Sequence, residues 1–484
     1  MRWNNYRYKI EKNEVILTQY EGEEEAICIP KQIDGMPVTE IGTEAFSEYG
    51  AALSRIEVPG TVKKIGDGAF KMCMSLTELV LHEGLEEIGE DVFLFTPLTA
   101  LFLPVSVRSI GKIWELGEIE WEVDPDSPHF FSDGYGLYHR CADRCELVVA
   151  LLKREAVSYQ VLPGTTGIGR GAFAGHEELE EIHFPDSLRY VGEDAFESCQ
   201  NLREVGLNEG LERLGADAFS HCVNLKKIHL PSTLCVMEEN ALTNTFGWSD
   251  AVNGIASVTV ASDNPYFSAD CSALYERKED GSLWLLKYFG TERRFVIPDT
   301  VSVVGTSAFR RALVREIKIP ASVQMIGHDA FRECKQMETV ELPDAVKLYV
   351  PRTPVYRKDE IMELLEGGEF DFDGYDNLFE TYLDLYEQCG MACSRLRYPV
   401  SLSREREACY REFLKEHLDE IVEVICQRED LERLSVLAEL GCFSETNMDD
   451  CMDIVNRSGK TKLLSFLMNY KQENIQGETF DFSL

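Results

Sequence analysis

The dipeptide Ile-Gly, or a close variant of it, returns along this chain at a nearly constant interval. Neighbouring copies within a block are 22 to 24 residues apart, and the copies are Ile41-Gly42, Ile65-Gly66, Ile88-Gly89, Ile110-Gly111, Ile168-Gly169, Val191-Gly192, Leu214-Gly215, Val304-Gly305 and Ile326-Gly327. A fixed period of this size is typical of a solenoid, in which one repeat cannot bury its apolar face alone and stacks on the next. The period therefore predicts an array of coils, whereas a length of 484 residues by itself would suggest two or three globular domains.

Each repeat contains the same parts. Segments such as LTELVL (76–81) and LKKIHL (225–230) alternate apolar and other residues, which predicts a strand with one buried face. The strand is expected to end at a proline such as Pro231, because proline lacks an amide donor. Ala-Phe follows the glycine by three residues and predicts one helical or 3₁₀ turn with both side chains inward. The glycine itself is expected to supply an unusual backbone angle at the corner.

Two longer intervals interrupt the period, and they are copies of each other. VDPDSPHFFSDGYGLYHR (123–140) aligns without a gap with VASDNPYFSADCSALYER (260–277). Each copy continues through a polar turn into an apolar strand, a pattern that predicts a β-hairpin. We therefore expect double-length coils near 123–163 and 260–298 within the same array.

The motif IGxxAFxxCxxLxxIxLPxxLxxIG, held over these copies, resembles the BspA-like, Treponema-type leucine-rich repeats. The resemblance covers roughly residues 6 to 348, and the segment YEGEEEAICIPKQIDGMPVTEIGTEAF (20–46) is also similar to the start of that family. The resemblance implies a leucine-rich repeat solenoid with a parallel β-sheet and short helical turns. Some members of that family act outside the cell.

Beyond LPDAVKLYVPRTPVYRK (342–358) the short period stops and apolar residues recur at helical spacing. Pro351 and Pro354 predict a linker. Gly441 and Gly459 are at expected left-handed helix ends, and Ser444 is an expected N-cap. Helices are predicted in EREACYREFLKEHLDEIVEVICQ (405–427), DLERLSVLAELG (430–441), ETNMDDCMDIVNRSG (445–459) and KLLSFLMNYKQ (462–472).

Short helices joined by glycine-containing turns favour stacked helical hairpins. Residues 431–470 resemble the ankyrin-like helical domain that is attached to some bacterial leucine-rich repeat proteins, and a plain helical bundle is the alternative. The predicted fold class is an α/β repeat solenoid over residues 1–350, followed by an all-α helical-hairpin domain over residues 351–484.

Composition limits the partners and the compartment. The formal net charge is −37, so nucleic-acid phosphates and anionic membrane surfaces are repelled and disfavoured as partners. The start MRWNNYRYKIEKNEV has no export signal, and the longest apolar run, ELVVALLK (146–153), is too short to span a bilayer. Fifteen cysteines spread thinly along the chain favour reduced thiols. We expect a cytoplasmic location, with the cell surface as the alternative.

The sequence predicts no metal site. The repeat cysteines, each three residues after the repeat phenylalanine, are expected to pack in the core; they are Cys73, Cys199, Cys222 and Cys334. The pairs Cys141/Cys145 and Cys389/Cys393 lack the paired spacing of a zinc site. The segment FDFDGYD (370–376) and the cluster Asp124, Asp126 and Asp133 suggest calcium, but the EF-hand order is missing. Turn and helix-capping roles are therefore predicted for these aspartates.

No catalytic or cofactor motif emerges either. The chain contains no GxxxxGK[ST], no GxSxG, no HExxH, and no GxGxxG between a predicted strand and helix. We therefore predict that the protein is not an enzyme and carries no cofactor. An enzyme with an unrecognised site in the helical domain is one alternative, and it would show as a pocket with converging polar groups and shifted pKa values.

The exposed face of the predicted sheet is the best candidate for function. The residue between the two buried positions of each strand is expected to point outward, giving the ladder Glu57, Val80, Phe102, Glu122, His183, Gly206, His229, Thr259, Lys318 and Glu341. About a dozen coils at a spacing of roughly 4.8 Å give a face on the order of 60 Å long, enough for a protein or an extended peptide. The predicted binding residues are Val80, Phe102, His183, His229 and Lys318.

The leading functional hypothesis is therefore a non-enzymatic protein–protein interaction protein that presents an extended leucine-rich repeat surface. A cell-surface adhesin or host-interaction protein is the alternative from a different class.

Overall fold

The structure is a computed structural model that describes residues 1–47, 52–113, 119–151, 156–242, 255–351, 361–381 and 383–475. The chain divides into two compact units, Met1–Leu274 and Tyr275–Leu484. Both units contain coils of parallel strands, and the second also contains helices, which confirms the predicted fold class. The domain boundary at residue 350 stays a prediction. The predicted linker at Pro351 and Pro354 lies largely in residues 352–360, outside the described residues.

In the first unit, strands with the Ile-Gly positions form two sheets, and each sheet begins with an antiparallel hairpin. One sheet contains Arg2–Trp3, Tyr6–Glu11, Glu14–Tyr20, Gln32–Ile33, Met36–Ile41, Lys64–Ile65, Glu87–Ile88 and Ser109–Ile110. The other contains Phe130–Ser132, Gly136–Cys141, Arg144–Ala150, Gly167–Ile168, Tyr190–Val191, Arg213–Leu214 and Val236–Met237. The parallel register places Ile65 beside Ile88 and Ile88 beside Ile110, so the repeat isoleucines form a column.

The alternating strands of the same coils form further sheets. Three strands form the first of these, Ala26–Cys28, Arg55–Val58 and Glu78–Leu81; two form the next, Ala100–Leu103 and Glu120–Val123; five form the last, Ser158–Gln160, Glu181–His183, Glu204–Val205, Lys227–Leu230 and Ser257–Val260. Phe267–Ala269 is a further strand of this unit. Burial alternates as predicted, since Leu79 and Leu81 are buried and Val80 between them is half-buried.

The repeat phenylalanines stack face to face in the core. Ring centroids are 4.9 Å apart for Phe173 and Phe196 and 5.3 Å apart for Phe196 and Phe219, and all three side chains are fully buried. In the second unit Phe309 and Phe331 are also fully buried, with centroids 4.8 Å apart. Burial of one such ring contributes about 1.5–3 kcal/mol, and each aromatic pair adds about 0.5–1.5 kcal/mol. The predicted inward column of phenylalanines is confirmed.

The repeat cysteines occupy a second column and are buried, as predicted. Each thiol donates to the main-chain carbonyl of the repeat phenylalanine one coil earlier: Cys73 to Phe46 at 3.7 Å, Cys199 to Phe173 at 3.1 Å, Cys222 to Phe196 at 3.0 Å and Cys334 to Phe309 at 2.9 Å. Burial raises the pKa of the Cys199 thiol well above its usual value. These thiols are therefore neutral core groups, and at Phe173, Phe196 and Phe309 each thiol is a second donor to a carbonyl that also accepts the main-chain N–H three residues later.

The glycine of the repeat allows the coils to approach closely, and the expectation that it adopts the unusual backbone angle is wrong. A Cβ built on Gly215 would lie 2.5 Å from the Glu193 nitrogen and the Gly192 carbonyl carbon. A Cβ on Gly192 would lie 2.9 Å from the Arg170 nitrogen and the Gly169 carbonyl carbon. Any side chain at this position would push two backbones apart.

The left-handed backbone angle lies two residues after that glycine instead. There φ is between 50° and 64° at Glu44, Gly68, Asp91, Gly171, Asp194, Asp217, Ser307 and Asp329. A second left-handed residue, such as Met72 or Ser198, follows the repeat phenylalanine by two. These two positions divide the predicted helical turn into consecutive i to i+3 turns, which cannot propagate as a helix.

Both predicted hairpins are present. Gly136–Cys141 and Arg144–Ala150 pair antiparallel, and the second strand then pairs in parallel with Gly167–Ile168. The second hairpin joins Ala273–Arg277 to its neighbouring strand Leu283–Tyr288, with the Lys278 nitrogen donating to the Ser282 carbonyl across the turn, and Leu283–Tyr288 then pairs in parallel with Val301–Val304. The sequence analysis missed an equivalent hairpin at the start of the chain, where Tyr6–Glu11 and Glu14–Tyr20 precede Met36–Ile41.

The second unit combines strands and helices. Its strands are Leu283–Tyr288, Val301–Val304, Met325–Ile326, Leu365–Glu366 and Glu369–Phe370 in one sheet, and Arg294–Val296, Glu316–Lys318, Thr339–Glu341 and Lys347–Tyr349 in another; Ala273–Arg277 begins at the boundary between the units. The α-helices are α1 (Phe372–Asn377), α2 (Leu385–Arg397), α3 (Arg404–Glu416), α4 (Leu418–Arg428), α5 (Leu431–Glu439), α6 (Met448–Arg457) and α7 (Thr461–Tyr470). Short helical turns are Pro343–Ala345, Leu378–Glu380 and Lys471–Ile475.

The predicted helical region is confirmed, with two differences in detail. The segment 405–427 forms two helices, α3 and α4, that meet at His417, where φ is −106° and ψ is 15°. Gly441 and Gly459 adopt the predicted left-handed conformation, with φ of 72° and 71°. The prediction of Ser444 as an N-cap is wrong, because α6 begins at Met448 after Asn447.

A buried ion pair lies among the first helices. Arg395 of α2 is fully buried and donates to both carboxylate oxygens of Asp376, at 2.6 and 3.0 Å. The Tyr410 hydroxyl donates to the same carboxylate at 2.8 Å. Asp371 caps α1 by accepting from the Gly374 nitrogen, which confirms its predicted capping role. Asp376 of the same acidic segment is thus a core anion.

Candidate interaction surface

The five predicted binding residues lie on four separate sheets. Val80 belongs to the three-stranded sheet of the first unit, Phe102 to the two-stranded sheet, and His183 and His229 to the five-stranded sheet. Lys318 belongs to the four-stranded sheet of the second unit. In the described residues the ladder is therefore divided into segments, and hydrogen bonding does not run along it without a break.

Three of the five side chains have polar partners on their own sheet. His229 Nδ1 is 2.9 Å from Thr259 Oγ1, and His183 Nε2 is 3.4 Å from Glu181 Oε1. Lys318 Nζ is 2.8 Å from Glu341 Oε1. Val80 is half-buried, whereas Phe102 is 44% exposed. Phe102 is thus the strongest apolar contact point among the five.

Glu341 differs from its predicted exposed position. Its residue surface is only 4% exposed, because the antiparallel strand Lys347–Tyr349 pairs with its own strand. Its carboxylate lies near the charged groups of Lys318, Arg294 and Lys347, at 2.8, 3.0 and 3.7 Å. The hydrogen bond from Lys318 holds the pKa of this carboxyl below its usual value.

A cavity of about 930 Å³ opens beside Phe102 in the first unit. Its apolar lining includes four aromatic side chains: Phe102, Trp121, Phe130 and Phe131. Among the described strands, Glu120–Val123 pairs only with Ala100–Leu103, so no described strand pairs with its second edge. The cavity therefore lies next to an unpaired strand edge.

Trp121 brings an unused hydrogen-bond donor to this cavity. The residue is 3% exposed, and its indole Nε1 has no partner among the described residues. A buried donor without a partner costs about 1–3 kcal/mol, and a ligand that accepts from it would recover that energy. The unpaired indole N–H therefore belongs to a residue of the cavity lining.

The charged residues that line the cavity give it a negative character. Glu120, Glu122 and Asp124 contribute carboxylates. The guanidinium of Arg140 lies 3.8 Å from the ring centroid of Phe131. Burial lowers the pKa of His176, so this residue is neutral at pH 7. Three carboxylates thus oppose one cation.

The sequence analysis identified Phe102 and Glu122 as ladder residues but missed the rest of the cavity. Trp121 occupies an ordinary buried strand position, and Phe131 and Arg140 belong to the hairpin of the double-length coil. The available signal was the copied segment 123–140, which marks where the regular coil is interrupted. Alignment of the copies gives no indication that the hairpin and the ladder share a cavity.

The aspartates that suggested a calcium site in the sequence form turns instead. Asp124 Oδ1 accepts from the Asp126 nitrogen, and Asp133 Oδ1 accepts from the nitrogens of Tyr135 and Gly136, as the turn prediction required. Within the described ranges, no group of three or more His, Cys, Asp or Glu side chains is arranged to hold a metal ion.

Comparison with known proteins then identifies the repeats. The chain matches the family described as BspA type Leucine rich repeat region, with six copies, over residues 28–113, 156–269 and 290–350. These ranges cover more than half of the chain. The chain belongs to this family. The BspA-type match stops at residue 350, before α1 to α7, so the helical region lies outside it. The comparison with curated proteins gave no match.

Solved leucine-rich repeat structures resemble this BspA-type chain at low identity. A leucine rich cell surface protein from Faecalibacterium prausnitzii is 23% identical, with 71% of this chain and 76% of that protein covered and a TM-score of 0.33. A leucine-rich repeat protein from Bacteroides ovatus is 21% identical, with 74% and 97% covered and a TM-score of 0.34. One from Eubacterium ventriosum is 15% identical, with 67% and 91% covered and a TM-score of 0.39.

In the part of the chain that the structure describes, none of the helices combines the length and the apolar content needed to cross a membrane.

Proposed function

We propose that this BspA-type repeat protein is a non-enzymatic interaction protein whose partner presents an extended, basic segment to the cavity beside Phe102. The observation that supports the proposal is the combination of an aromatic cavity, an open strand edge and a rim of carboxylates in one place. A volume of about 930 Å³ suits several side chains of an extended segment.

The open edge supplies the main-chain part of the recognition. An extended segment that lies along Glu120–Val123 adds a strand to the two-stranded sheet. Alternate side chains of an extended segment point to the same side, so every second one enters the aromatic cavity. The indole N–H of Trp121 then donates to the segment, which removes its unpartnered state.

Charge selects the partner. The carboxylates of Glu120, Glu122 and Asp124 favour lysine or arginine beside the apolar anchors. A chain with a formal net charge of −37 also attracts basic segments at long range and repels acidic ones, and this effect weakens as salt rises.

The test measures fluorescence anisotropy of the full chain with labelled extended peptides that alternate leucine or phenylalanine with lysine, against matched peptides that carry glutamate. We expect the basic peptides to bind and the acidic ones to fail. Phe102→Ala and Glu122→Gln should each weaken binding about tenfold, the effect of a strong contact residue. Tyr266→Ala, which removes an exposed aromatic ring outside the cavity lining, is the matched control and should leave affinity unchanged. Equal binding of acidic peptides, or an unchanged affinity in Phe102→Ala, would contradict the proposal.

For location, we infer a reducing compartment such as the cytoplasm. All fifteen cysteines are free thiols, and four of them are repeat core groups that donate to carbonyls. The Faecalibacterium relative is described as a cell surface protein, so the surface location is the competing outcome. Fractionation of native cells with an antibody to this chain separates the two.

A further inference from the structure

A second cavity, of about 680 Å³, lies within the second unit between the strand Lys347–Tyr349 and the helices α2 and α5. Five basic side chains line it: Arg315, Lys347, Arg397, Arg428 and Arg433. This concentration of positive charge is unusual in a chain with 85 acidic and 48 basic residues. Its size is that of a site for a small organic molecule.

Tyr349 provides the independent observation that points to a ligand. The residue is 7% exposed and lines the cavity, and its hydroxyl has no hydrogen-bond partner among the described residues. Burial raises the pKa of this phenol to about 12, although the Arg433 guanidinium opposes the rise. The hydroxyl is thus a protonated donor held out of water with nothing to donate to.

Arginine and tyrosine side chains form one stacked group in this cavity. The Arg433 guanidinium lies 4.5 Å from the ring centroid of Tyr349 and 3.9 Å from that of Tyr386. Arg428 lies 4.1 Å from the centroid of Tyr386. Guanidinium planes held over aromatic rings are pre-organised, so they bind carboxylate or phosphate with little loss of side-chain freedom.

The acidic residues of the lining offset only part of this charge, because two of them pair with two of its five cations. Asp430 is engaged by the Tyr386 hydroxyl at 2.5 Å and by Arg433 at 3.5 Å. Glu338 pairs with Arg315, and Glu429 pairs with Lys460, which is outside the lining. The fourth acid, Glu432, is exposed.

Two of the arginines are available for exchange. Arg397 pairs with Glu439 at 3.1 Å, and Arg428 pairs with Asp384 at 3.7 Å; neither acid lines the cavity. The four side chains of these two pairs are 39–52% exposed. Such exposed pairs contribute about 0–1 kcal/mol, so a bound anion can replace them.

We propose that this cavity binds a small aromatic oxyanion, a carboxylate or a phosphate ester attached to a flat ring, with Tyr349 and the arginines Arg397 and Arg428 as its recognition residues. The ring stacks in the tyrosine–arginine group and the anionic oxygens accept from the tyrosine hydroxyl and the guanidinium groups. Neither the family match nor the proposed interaction surface of the first unit assigns this site.

The experiment uses the full chain and isothermal titration with benzoate, phenyl phosphate, inorganic phosphate and neutral phenol. We expect benzoate or phenyl phosphate to bind more tightly than phenol or inorganic phosphate, and the two anionic arms identify which oxyanion is preferred. Arg428→Gln and Tyr349→Phe should each weaken binding about tenfold, the effect of losing one hydrogen bond to a charged group. Arg411→Gln, which alters an exposed arginine of α3 outside the cavity, is the matched control.

Thermal unfolding without ligand separates binding from folding. Because the Tyr349 hydroxyl has no internal partner, Tyr349→Phe should leave the melting temperature unchanged or raise it, while it removes the shift that the ligand produces. Failure of both aromatic anions to bind at millimolar concentration would overturn the proposal. So would an affinity that is unchanged in Tyr349→Phe and Arg428→Gln.

Discussion

The repeated coils and the helices of this protein are stabilised in different ways. In the coils the same contacts recur, such as a phenylalanine stack, a thiol that donates to a carbonyl, and a glycine between two backbones. In the helices the polar core contact, between Arg395, Asp376 and Tyr410, occurs once. The contribution of a repeated contact to the free energy of unfolding is spread over many coils, whereas the contribution of a single buried ion pair depends on one site.

The largest expected effect lies in the helices. Asp376→Asn removes the charge that Arg395 requires, so a fully buried guanidinium loses its counter-ion. We expect a loss of about 3–5 kcal/mol in the free energy of unfolding, measured by urea denaturation with far-UV circular dichroism. Glu407→Gln breaks the exposed pair with Arg411 and should cost less than about 0.5 kcal/mol. A cost below about 1 kcal/mol for Asp376→Asn would show that the pair is not critical.

The next effect concerns a residue that breaks the regularity of the hairpins. In each hairpin a leucine pairs with the next coil: Leu285 in one and Leu147 in the other. The residue two positions later is the buried Lys287 in the first case and the buried Val149 in the second. Burial, assisted by Arg310, lowers the pKa of Lys287 to about 8. Lys287→Met removes this buried amine, and we expect it to stabilise the protein at pH 7 by about 2–3 kcal/mol.

The pH dependence supplies the control for Lys287. Between about pH 8 and pH 10.5 the unfolded chain keeps the lysine proton and the folded chain does not, so the stability of the unmodified protein rises with pH in this window. Lys287→Met lacks that rise, and its advantage should disappear near pH 10.5. An advantage that is constant from pH 7 to pH 10.5 would mean that packing, and not charge, is responsible.

A smaller effect is expected from one close backbone contact of the coils. Gly215→Ala places a methyl group 2.5 Å from the backbone of the preceding coil, so the two coils must shift apart. We expect a loss of about 2 kcal/mol, measured by thermal unfolding. Gly206→Ala is the matched control because no atom lies within 4 Å of the added carbon. Equal effects of the two substitutions would contradict the close-packing role.

The smallest effect concerns the thiol column. Cys222→Ala removes a buried thiol and its hydrogen bond to the Phe196 carbonyl, which keeps the bond from the Cys199 nitrogen, and should cost about 1 kcal/mol, whereas Cys28→Ala at an exposed site should cost almost nothing. Burial also raises the pKa of Cys222, so its thiol should resist iodoacetamide in the folded protein while Cys28 reacts. The rate of labelling of each cysteine is measured by mass spectrometry. Equal rates for Cys222 and Cys28 would contradict the burial of the thiol column.

Much of the repeat architecture was predictable because it depends on residues near each other in sequence. Phe196 and Cys199 stand at fixed offsets from Gly192, so one motif predicts a column of each. The role predicted for the glycine was wrong. The pattern shows that a small residue is needed, but it does not show whether the reason is an unusual backbone angle or the close approach of a neighbouring coil. The angle itself lies at Asp194, where the sequence varies among Glu, Gly, Asp and Ser.

The candidate sites were much less predictable. Phe102 follows from strand alternation, but Trp121 and Arg140 reach the same cavity from different parts of the chain. Tyr349 and Arg433 are 84 residues apart in sequence, and no spacing rule links them. The interruption at 123–140 indicated that the regular coil changes there, and it gave no information about what the change encloses.

The amino-acid order alone thus determined that coils form, which side of each strand is buried, and that helices follow the coils, because these follow from local periodicity and from the apolar surface that each repeat must cover. Only the tertiary structure decided that Asp376 neutralises Arg395, that Glu341 is covered, and that Tyr349 lacks a partner. Those outcomes depend on contacts between distant segments, whose distances and solvent exclusion are set once the chain has folded.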